Sequence, residues 1–350
     1  MRDLRNGMKK IVTAVLAAGL VGIASLAGMA GQATAQTKVG TTIGTFLRIE
    51  PSARAAGMGN AGVAMPADIE SAYFNVGTIG LLEQAEVQYT HSLWYADISY
   101  DYAAVAVPVS EKGNLLLSVT SLSSGDIQVR TVEQPNGTGV FYSVTNVALG
   151  VAYGRRITER FSAGIQANYI SESIWNTSTT ALSVNLGTIY RLSDSGASLG
   201  FGLANLSTRT RFSGDGLGIT YDSDPDIHGD NSALPAEQST DRFPLPGLFR
   251  LGLSYPYVVS EDSRFLFLIE GLHPADNSES LNLGAEWTLM RMFSLRAGYQ
   301  TLFQTDSQLG MTLGFGVAGN LGNQRYHLNY AWAGHKRLED THRMTMSIAF

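Results

Sequence analysis

The chain has 350 residues, a formal net charge of −6, no cysteine, 38 glycines and 15 tyrosines. Without cysteine it cannot form disulfide bonds or carry a lipid on an N-terminal cysteine, and its acidity argues against a nucleic-acid-binding protein. Many glycines and tyrosines, with no long apolar block beyond the N-terminus, favour β structure.

Residues 1–35 have the pattern of a secretory signal peptide. Four basic residues lie among the first ten, an apolar stretch follows, and Ala33-Thr34-Ala35 forms a small-residue cleavage site. An N-terminal membrane anchor is the alternative, but the small residues at the end favour cleavage. Because this segment carries four basic residues and one acidic residue, its removal changes the net charge from −6 to −9.

Residues 36–84, called the hatch below, do not alternate like a strand. They are rich in alanine and glycine, with only short helical hints. A segment of 49 residues is long enough to enter and plug a barrel of about fourteen strands. Glycines 57, 59 and 62 would let its backbone approach the wall closely, and Arg54 is expected to meet acidic groups in the lumen.

Residues 85–350 alternate with period two, which is typical of strands. Large apolar residues form one face, whereas glycine, serine and asparagine form the other. This pattern predicts an all-β, transmembrane antiparallel β-barrel with its apolar face in lipid. We predict fourteen strands at 85–94, 97–108, 112–121, 143–156, 160–172, 178–192, 196–206, 247–257, 262–272, 279–289, 293–303, 307–318, 324–334 and 340–350.

The links between these strands support the count. All links after even-numbered strands are short, whereas the long links 122–142 and 207–246 follow odd-numbered strands. Outer-membrane barrels have short periplasmic turns and longer external loops. The sequence therefore predicts a bacterial outer-membrane protein that contacts lipid and lipopolysaccharide.

The stretch WYADISYDY at 94–102 joins the first two strands, with its turn at Ala96-Asp97. We expect Trp94, Tyr95, Tyr100 and Tyr102 to contribute to an aromatic girdle at the outer membrane interface. A ligand contact is the alternative, for which Trp94, Tyr95 and Asp97 at the outer rim are the candidates.

Alternation points four charged side chains inward from four successive strands: Arg250, Glu270, Glu286 and Arg296. Opposite charges on neighbouring strands can pair with each other or hold the hatch. A structural ladder of ion pairs and a role in transport both remain open.

Catalytic signals are weak. The six histidines are not accompanied by a nucleophile motif such as Gly-x-Ser-x-Gly, so we expect neither an enzyme nor a cofactor. In the acidic loop 207–246, Asp222, Asp224 and Asp226 alternate as in a calcium loop, but Ile227 replaces the required glycine. A looser calcium site and a solvated acidic loop both remain open.

Two stretches resemble the PorV/PorQ family of outer-membrane barrels, which are relatives of the FadL-type transporters. They are FLRIEPSARAAGMGNAGVAMPADIESAYFN and EVQYTHSLWYADISYDYAAVAVP, within residues 41–108. One departure concerns Asn75, which the family usually follows with Pro-Ala-Gly-Leu and this chain follows with Val-Gly-Thr-Ile. The loss of the proline removes a fixed φ and leaves the turn of the hatch in question.

The resemblance implies a FadL-like barrel with an N-terminal hatch. It also implies a role in type IX secretion, in which the barrel binds secreted proteins that share a C-terminal domain and passes them to other components at the cell surface. A passive transporter of hydrophobic small molecules is the alternative, and inward-facing Leu266 and Leu268 would favour it slightly. A structural outer-membrane protein without cargo is a third hypothesis.

Overall fold

The computed structural model describes residues 38–224, 226 and 233–350, so the expected signal peptide lies outside the described residues. Fourteen antiparallel strands close into a barrel, in which each strand pairs with the next and the last pairs with the first. Among the described residues, no helix is both long and apolar enough to cross a membrane. The barrel strands are β1 (Glu86–Leu93), β2 (Ser99–Ser110), β3 (Gly113–Ser123), β4 (Val144–Arg156), β5 (Phe161–Ile174), β6 (Thr177–Arg191), β7 (Ser198–Ser207), β8 (Leu248–Ser260), β9 (Ser263–Pro274), β10 (Ser280–Leu289), β11 (Phe293–Leu302), β12 (Leu309–Leu321), β13 (Gln324–His335) and β14 (Thr341–Ala349).

The predicted strand count is confirmed, and every strand end lies within three residues of its predicted position. The two longest connections follow β3 and β7 and therefore lie at the same end of the barrel, called the long-loop end here. Each contains a small two-stranded sheet, Ile127–Gln128 with Phe141–Tyr142 and Gly218–Tyr221 with Leu234–Glu237. The opposite, short-turn end carries both ends of the barrel sequence.

The wall has its apolar residues outside and its small polar residues inside. On β6, Leu182 is 69% exposed whereas its neighbour Ser183 is 3% exposed. On β14, Met344 is 58% exposed whereas Thr345 is 2% exposed. Exposed apolar side chains that cover a closed barrel are what a hydrocarbon environment requires.

The described part of the hatch contains one turn of α-helix, α1 (Ala53–Ala56), and three 3-10 helices, Thr45–Arg48, Ile69–Ser71 and Val76–Leu81. Side chains cap these short elements. Ser52 Oγ accepts from the N–H of Ala55 at 3.0 Å, and Asp68 accepts from the N–H of Ser71 at 2.8 Å. A fourth 3-10 helix, Asp215–Leu217, lies in the long connection after β7.

The hatch crosses the lumen from the long-loop end to the short-turn end. The N–H of Ile43 donates to the carbonyl of Pro244 in the connection after β7, at 3.1 Å. At the other end, the amide of Asn114 near the start of β3 donates to the carbonyl of Leu82 at 2.8 Å.

Between these points the hatch touches every strand of the wall. The wall residues that it meets, one on each strand from β1 to β14, are Gln88, Tyr102, Asn114, Gly154, Ser162, Gly187, Gly200, Gly252, Glu270, Gly284, Gly298, Gly314, Asn329 and Thr345. The bore is therefore plugged by its own N-terminal segment.

The prediction of an aromatic girdle was wrong for Tyr100 and Tyr102. Both point into the barrel and are almost completely buried, at 0% and 3% exposed. Tyr102 packs edge-on against Tyr73 of the hatch, with ring centroids 5.8 Å apart. The polar neighbour Asp101 faces outward, so alternation along β2 sends the two tyrosines to the hatch side.

Candidate functional site

Glu286 of β10 is the centre of a buried charge cluster that joins the hatch to the wall. Arg54 of α1 donates to both carboxylate oxygens of Glu286, from Nε at 3.0 Å and from Nη2 at 2.8 Å. Arg296 of β11 donates to the same carboxylate at 2.7 Å. Arg54 also pairs with Asp68 of the hatch. One wall carboxylate thus holds two guanidinium groups, one from the hatch and one from the next strand.

A second carboxylate, Glu70 of the hatch, completes this cluster. It accepts from Ser52 Oγ and from the amide of Asn329 on β13, both at 2.6 Å. Asn329 in turn accepts from Arg296 at 2.9 Å. Burial raises the pKa of Glu70 above its ordinary value and neighbouring Asp68 adds to this, although the bond from Ser52 opposes them.

The pKa of Arg54 lies above its already high ordinary value. Burial alone would lower the pKa, but the carboxylates of Glu286 and Asp68 more than offset it. Arg54 is therefore a cation in the hatch, and it is paired with the carboxylate of Glu286 in the wall.

Arg250 of β8 forms a second buried charge cluster. Its guanidinium donates to Glu270 of β9 and to Glu50 of the hatch, each at 2.9 Å. It also lies over the ring of Phe74, 5.2 Å from the centroid. Glu270 accepts the N–H of Val63 at 2.7 Å, so this pair also holds the hatch backbone.

The opposite wall holds the hatch without an ion pair among the described residues. The N–H of Gly44 donates to the carboxylate of Glu172 on β5 at 3.0 Å, and the bonds that follow come from neutral side chains. The amide of Asn75 donates to the carbonyls of Val63 and of Thr188 on β6, both at 2.8 Å. Its oxygen accepts from the N–H of Gly77 at 3.0 Å and caps the 3-10 helix that follows. Ser162 of β5 donates to the carbonyl of Gly77 at 2.7 Å. The turn that lacks the family's proline is thus fixed by Asn75.

A cavity of about 460 Å³, called the outer cavity, lies between the hatch and the long-loop end. Trp94 and Tyr95 at its edge contact His335 at the end of β13, with ring centroids 6.3 Å apart in each case. These residues are close because β14 pairs with both β1 and β13. Asp97 is exposed at the turn, where Ala96 and Asp97 both have φ of 57°. The structure therefore brings Trp94 and Tyr95 to a cavity and leaves Asp97 outside it.

Two further cavities, of about 490 and 260 Å³, lie at the short-turn end. Pro66, Ala67 and Glu86 contribute to both. Arg54 lines the smaller one, whereas Ala56 and Asn60 line the outer cavity. The hatch is thus the partition between the outer cavity and the space at the short-turn end.

Leu266 and Leu268 face inward but do not line an open path. They pack on Met58, Met65 and Phe74 of the hatch. Their position therefore gives no support to a transport route in this state.

Sequence reasoning did not identify Glu50, Asp68 and Glu70, the hatch carboxylates of the two clusters. The sequence nevertheless carried a signal for them. A segment that is predicted to enter a lumen with charged walls needs side chains of opposite charge to pair with those walls. The six predicted hatch and lumen residues, Arg54, Asn75, Arg250, Glu270, Glu286 and Arg296, all lie at the contact between the hatch and the wall.

The acidic loop provides no metal site in the part that the structure describes. Asp222 and Asp224 accept hydrogen bonds from backbone N–H groups two residues further on, at 3.1 and 3.3 Å. The described residues contain no group of three or more histidine or acidic side chains that could hold a metal ion. Residues 225 and 227–232, on which the looser calcium site would also draw, lie outside the described residues.

Part of the sequence matches a model of a known protein family. A family model described as type IX secretion system protein PorV matches residues 32–191. This match contains the hatch and β1–β6, and it extends well beyond the stretch 41–108 that carried the resemblance. No curated protein sequence matches the chain.

Solved structures of similar fold include a FadL homologue and two toluene transporters. A FadL homologue from Pseudomonas aeruginosa matches 85% of this chain and 97% of its own, with a TM-score of 0.52 and 12% identity. The toluene transporter TodX from Pseudomonas putida matches 86% and 97%, with a TM-score of 0.55 and 13% identity. The toluene transporter TbuX from Ralstonia pickettii matches 86% and 98%, with a TM-score of 0.54 and 11% identity. Such low identity establishes the fold alone, and the predicted FadL-like barrel class is confirmed.

Proposed function

We propose that this barrel of FadL-like fold is a PorV-type outer-membrane protein and that it binds secreted proteins at its long-loop end. It then passes them to the surface-attachment machinery of type IX secretion. The observation that carries this proposal is the PorV match over residues 32–191, which includes the hatch and the part of the outer-cavity wall between Trp94 and Asn146.

The plugged lumen supports a docking role. Two buried charge clusters and contacts to all strands hold the hatch, so the barrel offers a cavity with a fixed floor to the outside. Aromatic side chains at the edge of such a cavity supply large contact area at low entropic cost. Trp94 and Tyr95 are in this position.

Site-specific photo-crosslinking in cells tests this proposal. A photoreactive residue at Tyr95 is expected to capture secreted proteins that share one C-terminal domain, identified by mass spectrometry. The matched control is the same residue at Glu159, which is exposed in a turn at the short-turn end. Capture of no secreted protein at Tyr95, or equal capture at both positions, would contradict the proposal.

Transport of a hydrophobic small molecule is the second candidate, since the fold is similar to that of the toluene transporters. It requires the hatch to move, because the hatch contacts the whole wall. Uptake of radiolabelled toluene into liposomes containing the purified barrel distinguishes the two. Uptake above that of protein-free liposomes would support transport, whereas equal uptake would leave protein binding as the function.

A further inference from the structure

Two arginines buried in the lumen share the nearby negative charge unequally. Arg343 of β14 is 6% exposed and donates from Nε to Ser92 Oγ at 3.0 Å, but its Nη1 has no hydrogen-bond partner and it forms no salt bridge with any described residue. Arg250 of β8, by contrast, binds two carboxylates, those of Glu270 and Glu50, each at 2.9 Å. Burial of a guanidinium without an anion is unfavourable, because the lost hydration is not replaced. Arg343 is therefore the exception that needs a reason.

Glu50 of the hatch is attached to one side of the bore and reaches toward the other. The carbonyl of the next residue, Pro51, accepts from the amide of Gln88 on β1 at 2.6 Å. Strand β1 pairs with β14, the strand of Arg343. The carboxylate of Glu50 is nevertheless bound by Arg250 on β8, which is six strands from β14 around the barrel.

The register of β14 places Arg343 on the side where the hatch is attached. Thr345 accepts the N–H of Ala53 at 2.9 Å, and Arg343 is the next inward-facing residue toward the long-loop end. Glu50 precedes Ala53 in a segment that starts at that end. Among the described carboxylates, that of Glu50 attracts Arg343 most strongly. Both side chains line the outer cavity, so open space adjoins each of them.

Transfer of Glu50 from Arg250 to Arg343 would redistribute these charges without loss. Arg250 would keep its partner Glu270, and Arg343 would gain an anion. Neither arrangement leaves a carboxylate of this group unpaired, so the two differ in free energy by less than the loss of a buried ion pair. Two alternative packings of similar free energy are the basis of conformational switches in proteins.

We propose that Glu50 is a two-position switch, bound to Arg250 in the state described above and to Arg343 in a second state. In the second state the hatch loses its ion pair with β8 but stays attached to β1 and β14 through Pro51 and Ala53. The hatch can then leave β8 without a buried, unpaired carboxylate. Arg343 is unpaired in the first state because it is the partner of the second. This inference goes beyond the proposed function and does not depend on it.

A double-mutant cycle between Glu50 and Arg343 tests this inference. It is measured in a background that carries Arg250→Met and Glu270→Gln, called the neutral background, in which Glu50 has lost its first partner. Arg343→Met should lower the urea midpoint for unfolding in lipid there, because it leaves Glu50 without an arginine. When Glu50→Gln is also present, Arg343→Met should leave the midpoint unchanged or raise it, because it then removes an unpaired cation.

Arg296→Met is the matched control in the same background. Arg296 is also buried, but it binds Glu286 and Asn329, so its effect on the midpoint should not depend on Glu50. If Arg343→Met has the same effect with and without the carboxylate of Glu50, the two residues do not interact and the inference is overturned.

A crystal structure of the single variant Arg250→Met tests the second position directly. The carboxylate of Glu50 should lie within hydrogen-bond distance of the guanidinium of Arg343, at about 3 Å, with Pro51 still bound to Gln88. A carboxylate that remains directed toward β8, or that contacts only solvent, would contradict the switch. Arg250→Gln serves the same purpose if Arg250→Met does not fold, because its amide can still donate to the wall carboxylate beside it.

Discussion

Glu286 is the residue on which the hatch depends most strongly. Three N–H groups of Arg54 and Arg296 donate to its carboxylate. Glu286→Gln would keep the shape but leave two buried guanidinium groups facing a neutral amide. Loss of one member of a buried ion pair costs about 3–5 kcal/mol. We therefore expect a lower urea midpoint for unfolding in lipid, measured by tryptophan fluorescence.

Glu159→Gln is the control, since Glu159 is exposed at the short-turn end and its loss should change the midpoint little. Equal midpoints for the two variants would show that the cluster around Glu286 adds nothing to stability. A further variant, Arg296→Met with Glu286→Met, should recover part of the loss, because one unmatched guanidinium is removed and Arg54 keeps its pair with Asp68.

At the residue scale, alternation alone placed the four charged wall residues inside, but it could not identify their partners in the hatch. Arg250 and Glu50 are 200 positions apart, and no local pattern links them. The same limit explains the error at Tyr100 and Tyr102. The aromatic composition of this stretch suggested a membrane girdle. Tyr100 and Tyr102 instead occupy the alternate positions of β2 that face the lumen, where they pack against the hatch.

At the scale of elements, glycines on the wall allow the hatch backbone to lie directly on the strands. A Cβ added at Gly298 of β11 would contact the N–H of Gly59 and lie 2.8 Å from its Cα. Gly298→Ala should therefore displace the hatch or strain the strand, at a cost of about 1–3 kcal/mol. Limited proteolysis should then cleave the hatch faster, and thermal unfolding should begin at a lower temperature.

Gly310→Ala on the neighbouring strand is the matched control. A Cβ there has its nearest neighbour, Tyr299 Oη, at 4.0 Å, so the extra methyl group has room. If both alanine variants are cleaved at the wild-type rate, the hatch is not held by close backbone contact at Gly298.

The strands were predictable from the sequence because each carries its own signal. Apolar residues that face lipid alternate with small polar residues that face the lumen, with a period of two. The short helices of the hatch carry no such periodic pattern. Val76–Leu81 is a 3-10 helix with five of its six residues buried, so no amphipathic face reveals it. Its conformation follows from the cap at Asn75 and from the glycine-lined wall, which exist only after the barrel has closed.

At the scale of the whole molecule, the closure of the barrel can be predicted from the sequence more directly than the position of the hatch inside it. An even strand count and the parity of the loops determine a closed barrel with both ends of its sequence on one side. The hatch fills the bore only because its surface is complementary to the inner face of the wall. These two surfaces come from distant parts of the sequence. The ion pairs between the hatch and the wall lie on β8 and β10, whereas the described residues of β3–β6 hold the hatch through hydrogen bonds and packing, so the hatch is held unequally on its two sides.

This asymmetry predicts how the plug would open. Arg54→Ala with Arg250→Ala removes the hatch's cation from the cluster at Glu286 and the wall cation from the cluster at Glu270, but leaves the bonds of Asn75 and Asn114 intact. We expect the double variant to show frequent open-channel events in planar lipid bilayers, whereas the wild type stays mostly closed. Glu159→Gln should behave like the wild type. Equal conductance of the double variant and the wild type would mean that the hydrogen bonds to β3–β6 suffice to keep the bore shut, and the ion pairs would then serve stability alone.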